Sequence, residues 1–250
     1  MPLYFIGLGL GNEKDITVNG LEAVKKCDVV YLENYTSVLN CTKEDLEKFY
    51  GKKIILARRS LVEADENEIL ENAKAKNVAF LAIGDPLVAT THIDLFLRAR
   101  KEEIKCNVIH NSSVVSAVGA TGLQVYKFGK TTSIPFENEN VETPYDVLKD
   151  NLSLGLHTLF LLDLNPEEEK FITVNDAIRY LLKVELKRNE KVFSEKTICV
   201  GCARLGSENQ IIKSGAAKDL LKQNFGKPVH CLIVPGKLHF MEERGLKNWR

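Results

Sequence analysis

The chain has no net charge to direct it toward a polyanion: its 34 lysines and arginines are matched by 34 aspartates and glutamates, with no long basic run. Nucleic-acid binding needs a clustered basic face, and the sequence demands none. No apolar run is long enough to span a bilayer, and Leu3-Tyr-Phe-Ile6 has strand character rather than the pattern of a secretory leader. A cytoplasmic chain with neither a nucleic-acid nor a membrane partner is expected. The six cysteines are scattered at positions 27, 41, 106, 199, 202 and 231. Cys199-Val-Gly-Cys202 has CxxC spacing but no second ligand pair, so zinc is not expected. It also lies inside a strand-like run rather than opening a helix, as a redox pair would. HExxH, a Ser/His/Asp set and a paired-carboxylate motif are all missing, and no metal is expected.

With 44% apolar and 27% charged residues, the composition is that of a soluble globular protein, and 250 residues fill one large domain or two ordinary ones. The organising stretch is Val78–His92. Six apolar residues, Val78–Ile83, read as a strand buried on both faces, as in a parallel sheet. Gly84-Asp85-Pro86 then stops it and sets one carboxylate beyond the strand's carboxyl end, where open α/β sheets bind ligands. Thr90 and Thr91 are candidate caps for a helix over Ile93–Arg100.

Strand and helix signals alternate on both sides of this element. Strands are expected at Leu3–Ile6, Val29–Leu32, Lys53–Ala57 and Cys106–His110, with helices at Thr17–Lys26, Asn67–Lys76 and Val114–Ala120. The polar, acidic stretch from Lys127 to about Asp146 reads as a linker or long loop between two domains. A second alternation follows: helix Tyr145–Leu154, strand His157–Leu164, helix Asn175–Arg188 behind Thr173, strand Thr197–Cys202, a loop, helix Ala216–Phe225 and strand Val229–Val234. The economical reading is two α/β domains, 1–133 and 134–250.

Gly7-Leu-Gly-Leu-Gly11 suggests a dinucleotide site, but the third glycine comes one position early and Asn12-Glu-Lys-Asp15 intervenes before the helix. Two acids then stand where a pyrophosphate should sit. An NAD-dependent oxidoreductase would rest on this run alone.

Several motifs in order resemble the diphthine synthases, diphthamide-pathway methyltransferases of the tetrapyrrole-methylase-like class. They are Leu3–Leu10, Asp15–Glu22, Gly84-Asp-Pro-Leu-Val-Ala-Thr-Thr-His92, Ser116–Gly122 with Tyr126-Lys-Phe-Gly129, Gly155–Leu159 and Pro228–Lys237. The resemblance implies two α/β domains with S-adenosyl-L-methionine in the cleft between them, S-adenosyl-L-homocysteine as product, and a homodimer. It implies successive methylation of the modified histidine (3-amino-3-carboxypropyl histidine) of translation elongation factor 2, giving diphthine or diphthine methyl ester. Carried over by position, the cofactor contacts are Leu10, Asp85, Val88, Ser113, Val114, Leu162, Leu205 and His230. Taken by themselves, Leu162 and Leu205 read as core and His230 as a structural histidine. The same class also contains tetrapyrrole methyltransferases, and a non-catalytic binding protein could keep the fold without transferring a methyl group.

A sulfonium cofactor carries its own leaving group, so the protein's task is to position nucleophile and methyl in line. An amine acceptor must still lose a proton, by a base or by desolvation. The sequence identifies no catalytic residue for this. Glu33, Tyr35 and Lys127 are the residues to inspect, while His92, His110, His157 and His239 default to solvated or capping roles.

Overall fold

The structure is a computed structural model that describes residues 1–63 and 68–250. It divides into two compact units, Met1–Val114 with Gly206–Glu208, and Val115–Leu205 with Asn209–Arg250.

The first unit is built on five parallel strands: β1 (Pro2–Gly7), β2 (Val29–Glu33), β3 (Ile55–Ala57), β4 (Val78–Ala82) and β5 (Lys105–Ile109), in the order β3-β2-β4-β1-β5. Every residue of β4 is buried, as its unbroken apolar run requires. Side chains alternate between two cores: Leu3 and Phe5 pack with Phe80 and Ile69 on one side of the sheet, Ile6 and Leu8 with Val24 and Leu46 on the other. Helix α1 (Val18–Lys26) begins where the Thr17 hydroxyl accepts the Gly20 amide. Helix α2 (Lys43–Tyr50), unforeseen in the sequence, opens with a reciprocal Thr42/Asp45 capping box and ends at the left-handed Gly51. A short α3 (Arg59–Val62), α4 (Glu68–Ala75) and α5 (Ile93–Lys101) complete the unit. Residue 67, the expected start of α4, lies outside the described residues. At α5 the cap position falls on His92, with no side-chain cap bond, rather than on Thr90 or Thr91.

The short α6 (Val114–Ala117) leads into the second unit, whose sheet has the order β11-β10-β12-β7-β6. Its strands are β6 (Thr132–Ile134), β7 (Thr158–Leu162), β10 (Ile198–Ala203), β11 (Ile211–Ala216) and β12 (His230–Val234), antiparallel except for β6 on β7. A hairpin of β8 (Leu164–Asn165) and β9 (Lys170–Phe171) stands apart. The helices are α7 (Thr143–Ser153), α8 (Val174–Arg188) behind a Thr173/Asp176 capping box, α9 (Ala217–Leu220) and α10 (Phe240–Leu246).

The unit boundary therefore lies ahead of the one expected at 133/134, and the stretch read as a linker is internal to the second unit. Ile134 is fully buried and pairs with Leu162, while the Tyr180 hydroxyl donates to Val141 O across the polar loop. A three-residue strand in a polar context carries too little period-two signal to be seen. The expected helix over Ala216–Phe225 shrinks to four residues: Ala216 belongs to the edge strand β11, and after Leu220 the carbonyls of Leu220, Leu221 and Gln223 accept from the Asn175 side-chain amide.

The second unit is tied together by a buried ion network. Glu242, fully buried in α10, accepts hydrogen bonds from the Lys127 ammonium, from His157 Nε2 (2.8 Å) and from the amides of Gln124 (2.9 Å) and His239 (2.8 Å). His157 Nδ1 in turn accepts the Gly236 amide at 2.9 Å, which places the ring's single proton on Nε2. Burial would raise the Glu242 carboxyl, but these donors outweigh it and hold it down at about 2. Burial likewise lowers His157, against the pull of Glu242, so the ring is neutral in the fold.

Both shifts destabilise the fold in acid. The unfolded chain takes up a proton on His157 below its ordinary value of 6.5, and on Glu242 below 4.5, before the folded state does. Urea unfolding across a pH series is expected to show stability falling through each window. Glu242→Gln should abolish the lower one. Glu242→Ala, which strands the Lys127 charge, should cost about 3–5 kcal/mol at neutral pH.

Candidate active site

Three loops leave the carboxyl ends of β1, β4 and β5 and meet at one end of the first sheet. Gly9 and Gly84 pair across two of them, Gly9 N donating to Gly84 O at 3.2 Å and Gly84 N to Gly9 O at 2.8 Å. Both have left-handed φ, +78° and +81°, which glycine adopts without strain. A Cβ on Gly7 would stand 2.6 Å from Gly84 O, so the close approach of these turns requires glycine there too. Asn111 locks the third loop to the first: its side-chain amide donates to Gly7 O (3.0 Å) and Asp15 O (2.9 Å), while its Oδ1 accepts the Ser112 amide (2.8 Å).

Asp85 is held at the centre. Its Oδ1 accepts the Leu87 amide at 3.0 Å; its Oδ2 accepts the Asn111 amide at 3.2 Å and His110 Nδ1 at 2.8 Å. Three of a carboxylate's roughly four acceptor positions are thus filled by the chain. Leu10, Val88 and Ser113 lie on these same three loops, and Val114 opens α6 directly after the third. Ser113 is buried, Val88 is exposed, and Leu10 packs against Gly206 of the same unit. The glycine run does not form a phosphate cradle, because Asp15 Oδ2 accepts the Gly11 amide at 2.7 Å and puts the chain's own anion there.

In the second unit Leu162 ends β7 and His230 opens β12, facing Ala203 of β10, with Leu205 two residues further along the chain. All three are buried. His230 Nε2 donates to Gly226 O (3.2 Å) and Lys227 O (3.1 Å), while its buried Nδ1 has no hydrogen-bond partner among the described residues. Burial lowers its proton affinity, so this nitrogen keeps a free lone pair, a site for a donor supplied from outside the chain.

Glu33 and Lys127 are engaged by the chain itself, and Tyr35 is held in its protonated form. Lys127 is an ammonium bound to Glu242 and to Lys237 O (2.7 Å). Glu33 is fully buried and accepts the amides of Tyr35, Thr36 and Ile83 and the Thr36 hydroxyl. Burial, helped by the Glu33 charge, pushes the Tyr35 phenol up to about 12. Of the unassigned histidines, His239 caps α10 as expected, accepting the Met241 amide at 3.3 Å. His157 belongs to the Glu242 network. His92 is buried against Phe80, its Nδ1 3.1 Å from Pro86 O. His110, which sequence reasoning passed over, is the histidine joined to Asp85. The two stand 25 positions apart, and no local pattern links them.

Parallel strands that present glycine-rich and acidic loops at their carboxyl ends, together with a mixed second sheet, define a class, and the family comparison gives it a name. The chain belongs to the family of tetrapyrrole (corrin/porphyrin) methylases, whose model matches residues 2–221. Its full-length likeness is to the diphthine synthases. It is 49% identical over 248 residues to "Diphthine synthase" of Methanococcus maripaludis, covering 98% of this chain and 97% of that one. It is 48% identical over 271 residues to "Probable diphthine methyl ester synthase" of Arabidopsis thaliana, covering 99% and 98%. A crystal structure of diphthine synthase matches with a TM-score of 0.91 at 39% identity, over 100% of this chain and 96% of that one.

Asn111→Ala removes the two hydrogen bonds that join the loop after β5 to Gly7 O and Asp15 O, and a third to the neighbouring Ser112 amide. It is expected to cost about 2 kcal/mol in urea unfolding, and hydrogen exchange should speed up at Gly9 and Gly11.

Proposed function

We propose that this chain, an S-adenosylmethionine-dependent methyltransferase of diphthamide biosynthesis, methylates the 3-amino-3-carboxypropyl histidine of translation elongation factor 2 and releases S-adenosyl-L-homocysteine. The observation that carries this reading is near-50% identity to a diphthine synthase over 98% of the chain. The product is diphthine or diphthine methyl ester, the two activities named among the relatives. The working form is a cytoplasmic homodimer. Among the described residues, no helix is long and apolar enough to cross a membrane.

Leu10, Asp85, Val88, Ser113, Val114, Leu162, Leu205 and His230 are proposed to hold the cofactor. The residues present fit it. The free lone pair on His230 Nδ1 accepts from an amino or hydroxyl group, and the remaining acceptor position on Asp85 does the same. Val88, Val114 and the three leucines supply the apolar walls usual in small-molecule sites. The bound cofactor supplies an electrophilic methyl on sulfur that departs from a neutral thioether. The chain's part is to fix its position and orient the acceptor.

The test is incubation with S-adenosylmethionine and elongation factor 2 carrying the aminocarboxypropyl histidine, followed by mass spectrometry of that residue. Methyl increments on the side chain are expected, and their number distinguishes diphthine from its ester. Transfer to a tetrapyrrole and none to the factor would overturn the reading. Asp85→Ala should weaken S-adenosylhomocysteine binding by about tenfold or more in calorimetry, the loss of one hydrogen bond to a charged group.

A further inference from the structure

Methyl transfer to an amine needs a proton acceptor, and the sequence offered none. At neutral pH the acceptor is an ammonium group with no lone pair, so an N–H bond must break before an N–C bond can form. Among the described residues, most candidate bases are already committed. Lys127 and His157 are bound to Glu242, the Glu33 carboxylate is saturated, and His92 is buried.

His110 differs. A carboxylate only accepts hydrogen bonds, so the 2.8 Å contact to Asp85 Oδ2 places the ring proton on Nδ1 and leaves the lone pair on Nε2. The Asp85 side chain is 4% exposed and that of His110 is 68% exposed. A buried acid that fixes the tautomer of an accessible imidazole, and then stabilises the imidazolium, is the arrangement of a histidine general base. The amides of Leu87 and Asn111 keep the carboxylate from turning away. His110 follows β5 directly and lies three residues before Ser113, on a loop already proposed to hold the cofactor.

We propose that His110, oriented by Asp85, is the general base that deprotonates the acceptor amine. The inference rests on the reading of the chain as a methyltransferase acting on an amine. An N–H bond of the ammonium breaks and its electron pair stays on nitrogen. The proton goes to His110 Nε2, and the Asp85 charge stabilises the resulting imidazolium. The freed pair then forms the N–C bond to the methyl while the C–S bond breaks with its pair on sulfur. Each transfer regenerates a positively charged nitrogen with one hydrogen fewer, so each round requires a neutral His110. Exposure of the ring lets it release its proton to water between rounds.

His110→Asn keeps a side-chain donor toward Asp85 but has no basic nitrogen, and His110→Ala removes both. Calorimetry should find S-adenosylhomocysteine bound by His110→Asn within about threefold of wild type, while methyl transfer to the elongation factor falls about 10²–10⁴-fold at neutral pH. The deficit should shrink as pH is raised, because the acceptor amine then deprotonates unaided, and added imidazole should partly restore His110→Ala. Nitrogen-15 NMR of the wild-type protein should show His110 protonated on Nδ1 and bare on Nε2. Transfer by the wild type tests the acceptor reading, and the ratio of variant to wild type tests the base. His110→Asn transferring within about threefold of wild type, a deficit that does not change with pH, or a loss confined to cofactor affinity would each overturn the proposal.

Discussion

The first unit depends on the approach of two backbones. Gly9 and Gly84 exchange amide hydrogen bonds because neither carries a side chain and both take left-handed φ. That pairing brings the turn after β1 against the turn after β4. Asn111 then reaches from the end of β5 to Gly7 O and closes the third side. Asp85 has its fixed position because the amides around it have nowhere else to go. Its partners come from its own turn and from the loop after β5, so the carboxylate reports the geometry of two loops at once.

The second unit solves a different problem. Its sheet is mixed, with a parallel β6 on one edge and antiparallel β11 on the other, and the chain before β6 and after β12 must be anchored without a strand ladder. A buried carboxylate does this. Glu242 collects the Lys127 ammonium and the Gln124 amide from the 124–127 turn, the Nε2–H of the neutral His157 ring, and the His239 amide at the start of its own helix. A charge so buried is tolerable only because its acceptor positions are filled, which makes the network specific as well as strong.

Much of this architecture was legible in the residues. Unbroken apolar runs such as Val78–Ala82 marked the central strands, and Thr173-Val-Asn-Asp176 marked the start of α8, because burial on both faces and end-capping are local requirements. Of what was missed, α2 did carry a local signature in its Thr42/Asp45 capping box, while the missed strands carried none. β6 is shorter than any periodicity can reveal. The edge strand β11 alternates too weakly beside Gly215. The linker reading of the 127–146 stretch failed because polar composition signals a loop without saying whose loop it is.

The sequence by itself determined most of the strands and helices, the presence of a rigid acid beyond β4, and the family to which the chain belongs. These depend on neighbours within a few positions or on motifs in order. Tertiary structure alone decided which base candidates were already spent, that His230 keeps one free nitrogen, and that His110 meets Asp85. Such facts turn on hydrogen bonds between residues far apart in the chain, and a side chain's chemistry is set by the partners it finds in space.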